Sequence, residues 1–101
     1  MTDQAIPEDL LVRSMALTHV EFLRTLPAAA EGWVQEIVGP RILLTRDRHR
    51  VEINLGQEGE RRIGSLRLPQ TDVELRFFGF DDDTRRAFLK RFDLAYQRGG
   101  G

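Results

Sequence analysis

The sequence predicts an α+β domain: an N-terminal helical segment, a five-stranded antiparallel β-meander and a C-terminal amphipathic helix packed on one sheet face. Three observations carry this expectation. Val51 to Leu55 and Val73 to Phe77 alternate apolar with polar residues, the two-residue period of strands with one buried face. Phe88, Leu89, Phe92, Ala95 and Tyr96 recur at spacings of three and four, which makes one apolar helical stripe. Thr18 and Glu21 stand three apart just ahead of Phe22, the spacing of a capping box that opens a helix. At 101 residues the chain has the length of one domain.

Residues 1–6 carry no periodic pattern and are expected to be mobile. Residues 7–30 are read as helical. Pro7, Glu8 and Asp9 would form an acidic first turn, and Leu10, Leu11, Met15 and Leu17 the apolar side. The capping box then opens a helix that buries Phe22, Leu23 and Leu26 and ends near Pro27; one bent helix or two short ones both fit. The weak pattern before Thr18 leaves Met15 as an alternative start.

Residues 33–78 should form the sheet, with strands near 33–38, 41–46, 49–55, 61–68 and 72–78. They are divided at Gly39 and Pro40, at Asp47 and Arg48, at 56–59, and at 69–71. Opposed residues in a hairpin share a face, so register follows by counting. A turn at Asp47 and Arg48 sets Leu44 against Val51 and Ile42 against Ile53. A type II′ turn with Gly39 in its first central position sets Ile37 against Ile42. A loop at 69–72 would set Leu68 against Val73, Leu66 against Leu75, Arg67 against Glu74 and Gly64 against Phe77. No count fixes the pairing of the third and fourth strands. The expected core is Trp33, Ile37, Ile42, Leu44, Val51, Ile53, Leu55, Leu66, Leu68, Val73, Leu75 and Phe77, closed by Phe88, Leu89, Phe92 and Tyr96. The last helix spans 82–98, with acids at its start and Gly99 as its stop, and residues 99–101 are expected to be mobile.

Composition removes several functions. Fifteen basic against sixteen acidic residues leave a formal charge of -1, which disfavours nucleic acid as a partner. With no cysteine there is no disulfide, thiolate nucleophile or finger-type zinc site. No apolar run approaches the ~20 residues that span a bilayer, and no basic-then-apolar leader is visible, so a cytoplasmic protein without a membrane partner is expected. His19 sits in the capping box, His49 between two arginines, and Ser14 and Ser65 lack a nucleophile elbow, so no triad or dyad can be named and the reading leans away from an enzyme without closing the question. Asp81, Asp82 and Asp83 read as a capped helix start rather than a metal site, and no cofactor is expected.

The informative surface is the outward sheet face. Alternation places Arg50, Glu52, Arg67, Glu74 and Arg76 there, along with Leu43, Ile63 and Phe78, while Arg41 and Phe80 border it. Residues Arg41, Arg50, Ile63, Arg67, Arg76, Phe78 and Phe80 are the candidate partner surface, because clustered exposed apolar groups mark contacts. Its cover would be either the N-terminal segment or another chain. The expected function is a non-catalytic interaction module that engages a protein partner or forms a homodimer through this face. Two alternatives stand behind it: a small-ligand or enzyme pocket between the sheet and the N-terminal segment, and RNA or single-stranded DNA on the arginine-phenylalanine face.

Overall fold

The computed structural model describes residues 9–99. The expectations for residues 1–6, for Pro7 and Glu8 and for residues 100–101 lie outside them. The chain runs β1 (Leu10–Met15), α1 (His19–Ala29), β2 (Val34–Val38), β3 (Arg41–Arg46), β4 (His49–Leu55), β5 (Gly59–Ile63), β6 (Leu66–Phe78) and α2 (Asp82–Gly99). The strands form an antiparallel sheet in the order β1-β6-β4-β3-β2, and β5 pairs with the free half of β6. The class is α+β as expected, with six strands instead of five.

The predicted helix over residues 7–17 is corrected to a strand. β1 pairs with β6 from Leu10 opposite Arg76 to Met15 opposite Thr71. Leu11 and Met15 pack on the core, and Arg13 between them reaches Asp93 of α2 at 2.8 Å. An inward arginine neutralised by a helix partner hides the strand's alternation. The capping box is present: Thr18 Oγ1 accepts from Glu21 N at 3.1 Å, and Glu21 Oε1 accepts from Thr18 N at 2.8 Å. α1 does not end at Pro27 but passes through it to Ala29, where Ala30 N donates to the Leu26 carbonyl at 2.8 Å.

The two-residue turns place β2, β3 and β4 in the expected register, with Ile37 opposite Ile42, Ile42 opposite Ile53 and Leu44 opposite Val51. Gly39, at φ 59°, takes the positive angle its turn needs. The expected fourth strand and the loop at 69–72 are corrected. The turn lies at Gly64 and Ser65, so Ile63 faces Leu66, Arg62 faces Arg67 and Arg61 faces Leu68. Pro69 then sits inside a 13-residue strand. In the alternating ladder its missing N–H points toward the flank of β6 that β1, ending opposite Thr71, leaves open. Val73 and Leu75 instead oppose Leu55 and Ile53 of β4, so the expected third strand pairs with the expected fifth and not with the fourth.

Both helices lie on one face of the sheet. Phe22 of α1 stacks on Tyr96 of α2 at 4.9 Å, and Phe92 fills the space between helices and strands. The core holds Phe22, Leu26, Ile42, Leu44, Val51, Ile53, Val73, Leu75, Phe77 and Phe92. Thr71, fully buried, donates its hydroxyl to the Leu17 carbonyl at 2.8 Å and ties the β1–α1 connection to β6. Two expected core residues are outside it. Ile37 is 48% exposed because β2 is the last strand beyond the helices, and Leu66 is 60% exposed near the tip of the β5–β6 arm. Trp33, Leu68 and Leu89 are only half-buried.

Candidate functional site

Register builds the outer face row by row. One row runs Val38, Arg41, Asn54, Glu74, Val12; the next runs Glu36, Leu43, Glu52, Arg76, Leu10; a third runs Val34, Thr45, Arg50, Phe78. No helix covers these residues. Glu36, Val38, Arg41, Leu43, Glu52, Asn54, Glu74 and Arg76 line a depression of about 600 Å³ in the saddle of the twisted sheet.

Of the candidate surface, Arg41, Arg50, Arg76 and Phe78 do share this face. Ile63 and Arg67 do not join them. They sit in the β5–β6 arm, which is exposed from Gln57 to Arg67, at the opposite end of β6 from Phe78 and roughly 40 Å away at the strand rise. Phe80 turns to the helix side and packs on Phe77, Trp33 and His49. The expected Ile63–Phe78–Phe80 cluster therefore does not form. Phe78 is roofed by the Arg50 guanidinium at 4.3 Å from the ring centre, while Arg50 and Arg76 each stand 3.6 Å from Glu52 and Glu74. This much of the face is a half-solvated lattice of weak ion pairs.

Exposed apolar surface collects instead at the β2 margin, where Val34 is 63%, Ile37 48% and Val38 75% exposed. Hydrogen-bond parity follows from the turns. Arg46 and His49 flank a two-residue turn and so form a bonded pair, and the ladder alternates from there. Val34, Glu36 and Val38 consequently spend their backbone groups on β3. Gln35 and Ile37 point theirs outward, where the described residues supply no further strand.

A second site lies on the helix side and was not foreseen from the sequence. Between α2 and the β3–β4 turn runs a groove of about 390 Å³ lined by Ala29, Trp33, Arg46, Asp47, His49, Phe80, Thr84, Ala87, Phe88 and Arg91. Trp33 stacks on Phe80 at 6.0 Å and meets Phe88 edge-on at 5.4 Å, and the Arg46 guanidinium lies 5.9 Å from the indole centre. Its residues come from three separated stretches of chain, 29–33, 46–49 and 80–91, so no local spacing could have announced it. Gly79, at φ 80°, holds this corner together: a Cβ there would stand 2.5 Å from the Arg48 carbonyl oxygen.

Several titratable side chains have structural partners. His19 N donates to Glu58 at 2.8 Å and its Nε2 donates to the Gly56 carbonyl at 2.6 Å, fastening the base of the arm to α1. Asp81 caps α2 by accepting from Thr84 N at 2.8 Å, and the Thr84 backbone and hydroxyl donors hold its carboxyl below the ordinary value. Asp82 and Asp83 pair with Arg85 and Arg86. Among the described residues no three metal-ligating side chains gather, and no helix is long and apolar enough to cross a membrane. Comparison with protein-family models, with curated proteins and with solved structures found no match to this chain.

Proposed function

We infer that the chain is a non-catalytic protein-interaction module that accepts a partner strand at the β2 margin of its bare sheet face. The observation that carries this reading is the pairing of outward backbone groups at Gln35 and Ile37 with the exposed side chains of Val34, Ile37 and Val38. A free edge with apolar side chains is a template for strand addition, and neither proline nor lysine interrupts this one.

A second copy is the simplest occupant. Laid antiparallel about Glu36, two β2 strands set Gln35 against Ile37 of the other chain twice, which completes four hydrogen bonds. Val34 then lies against Val38 of the other chain on the outer face. The one unfavourable pair is Glu36 against its own copy. Sedimentation velocity over micromolar concentrations tests this. The wild type associates. Ile37→Pro removes a donor that β3 does not use and gives a monomer with unchanged melting, since proline is tolerated on an edge. Glu36→Gln associates more tightly, by about twofold to fivefold for removal of a like-charge pair. A wild type that stays monomeric, with cross-linked partners unaltered by Ile37→Pro, overturns the reading.

A further inference from the structure

The β2 margin leaves the groove beside it, on the helix side of the sheet, unexplained. Trp33, His49 and Phe80 lie on the helix side of the sheet, yet all three are only half-buried. The reason is geometric: α1 stops at Ala29 and α2 starts at Asp82, so neither helix roofs the ends of β3 and β4. An aromatic cluster that faces the core but remains open to solvent is costly, since apolar burial contributes roughly 25 cal/mol per Å². The opening is concave, and its volume falls within the usual range for small-molecule sites.

Its two walls carry complementary chemistry. On one side α2 presents Thr84, Ala87, Phe88 and Arg91 along a single stripe, where the small Ala87 leaves room above Phe88. On the other side stand Trp33, Arg46 and His49. Arg46 makes no ion pair among the described residues and is held over the indole. Among the described residues Arg91 is bound by Glu31 alone, in an exposed pair of the kind worth little. The acids in reach are Asp47 on the lip beside Arg46, Glu31 outside Arg91 and Asp81 near His49, whose carboxyl is already held by the Thr84 donors.

We propose that this groove binds a small aromatic carboxylate, its ring against Ala87, Phe88 and the Trp33 edge and its anionic group between Arg46 and Arg91. The ring completes the aromatic cluster, and the carboxylate takes the two planar cations that the two walls contribute to the lining. Neutral and cationic rings of the same size gain the apolar contact but not the arginines. The groove meets the start of β2 at Trp33, but Gln35 and Ile37 are not in its lining, so occupying it leaves their outward backbone untouched.

Trp33 is the single tryptophan, so its indole N–H is an unambiguous reporter. Benzoate, benzyl alcohol and benzylammonium are titrated separately into the full chain and followed by amide and indole NMR shifts. Benzoate gives saturable shifts at Trp33, Arg46 to His49 and along Thr84 to Arg91, and the other two probes bind more weakly. Arg46→Gln weakens benzoate about tenfold, the loss of one charge-assisted hydrogen bond, and leaves benzyl alcohol unchanged. Ala87→Trp, at an exposed helix position that folding does not need, fills the groove and abolishes binding. The proposal falls if benzoate gives no saturable shift, if all three probes bind alike, or if neither variant changes its affinity. Because Gln35 and Ile37 serve as internal controls, that outcome leaves the strand-addition reading standing.

Discussion

At the scale of single residues, the fold depends on a few side chains that close the space between sheet and helices. Phe92 is fully buried, in contact with the rings of Phe22, Phe88 and Tyr96. Phe92→Ala should lower unfolding free energy by about 3–5 kcal/mol in chemical denaturation, because the site cannot collapse onto the cavity. Tyr96 is a second such residue. Its hydroxyl donates to the Phe22 carbonyl at 2.8 Å, and burial raises its pKa well above the ordinary 10.0. The sign of the linkage is fixed: above pH 10 the unfolded chain releases this proton while the folded chain keeps it. Stability from Tyr96 is thus fully present below its ordinary pKa and falls as pH rises beyond it. With only one tyrosine in the chain, tyrosinate absorbance reports the event directly. Absorbance and unfolding should appear together in alkali. Tyr96→Phe should lose about 1 kcal/mol at neutral pH but remove that alkaline slope.

At the scale of elements, the pieces with a tight turn or a cap were readable and those with a compensated residue were not. Two-residue turns give register by counting, so β2 to β4 follow from Gly39 and Asp47 alone. β1 was hidden because Arg13 points inward and is neutralised by Asp93, a residue 80 positions away. The β5–β6 arm was hidden because Pro69 resembles punctuation, although its missing donor faces an open flank. Of the candidate surface, the residues on the regular strands were placed on the right face. Ile63 and Arg67 were misplaced because the turn lies at Gly64 and Ser65 and folds them into the arm, and Phe80 because the chain turns to the helix side after Gly79 at φ 80°. A test of the corrected elements compares two deletions. Removing residues 1–14 takes away β1 with the Leu11 packing and should cost at least about 2 kcal/mol. Closing the arm at Arg61 and Leu68 removes only exposed residues, and denaturant midpoints should shift little.

At the scale of the whole molecule, the sheet separates two environments within extents of 49 × 29 × 26 Å. One side carries both helices and the core; the other is a bare, ion-laced saddle whose free apolar margin is β2. The groove and that margin adjoin through Trp33, which leads directly into Val34. A strand added at β2 would extend the sheet without disturbing any pair already made, since the groups it needs are those β3 leaves unused. Of the saddle arginines, Arg41 lies nearest that margin, opposite Val38, while Arg50 and Arg76 stand two and three strands from β2.

Amide hydrogen exchange within β2, read residue by residue at low and high protein concentration, bears most directly on strand addition. Val34, Glu36 and Val38 should be slow at both concentrations, and Gln35 and Ile37 should pass from fast to slow as the protein associates. Gln35 and Ile37 exchanging equally fast throughout, while the chain nevertheless self-associates, would place the contact elsewhere and contradict the account.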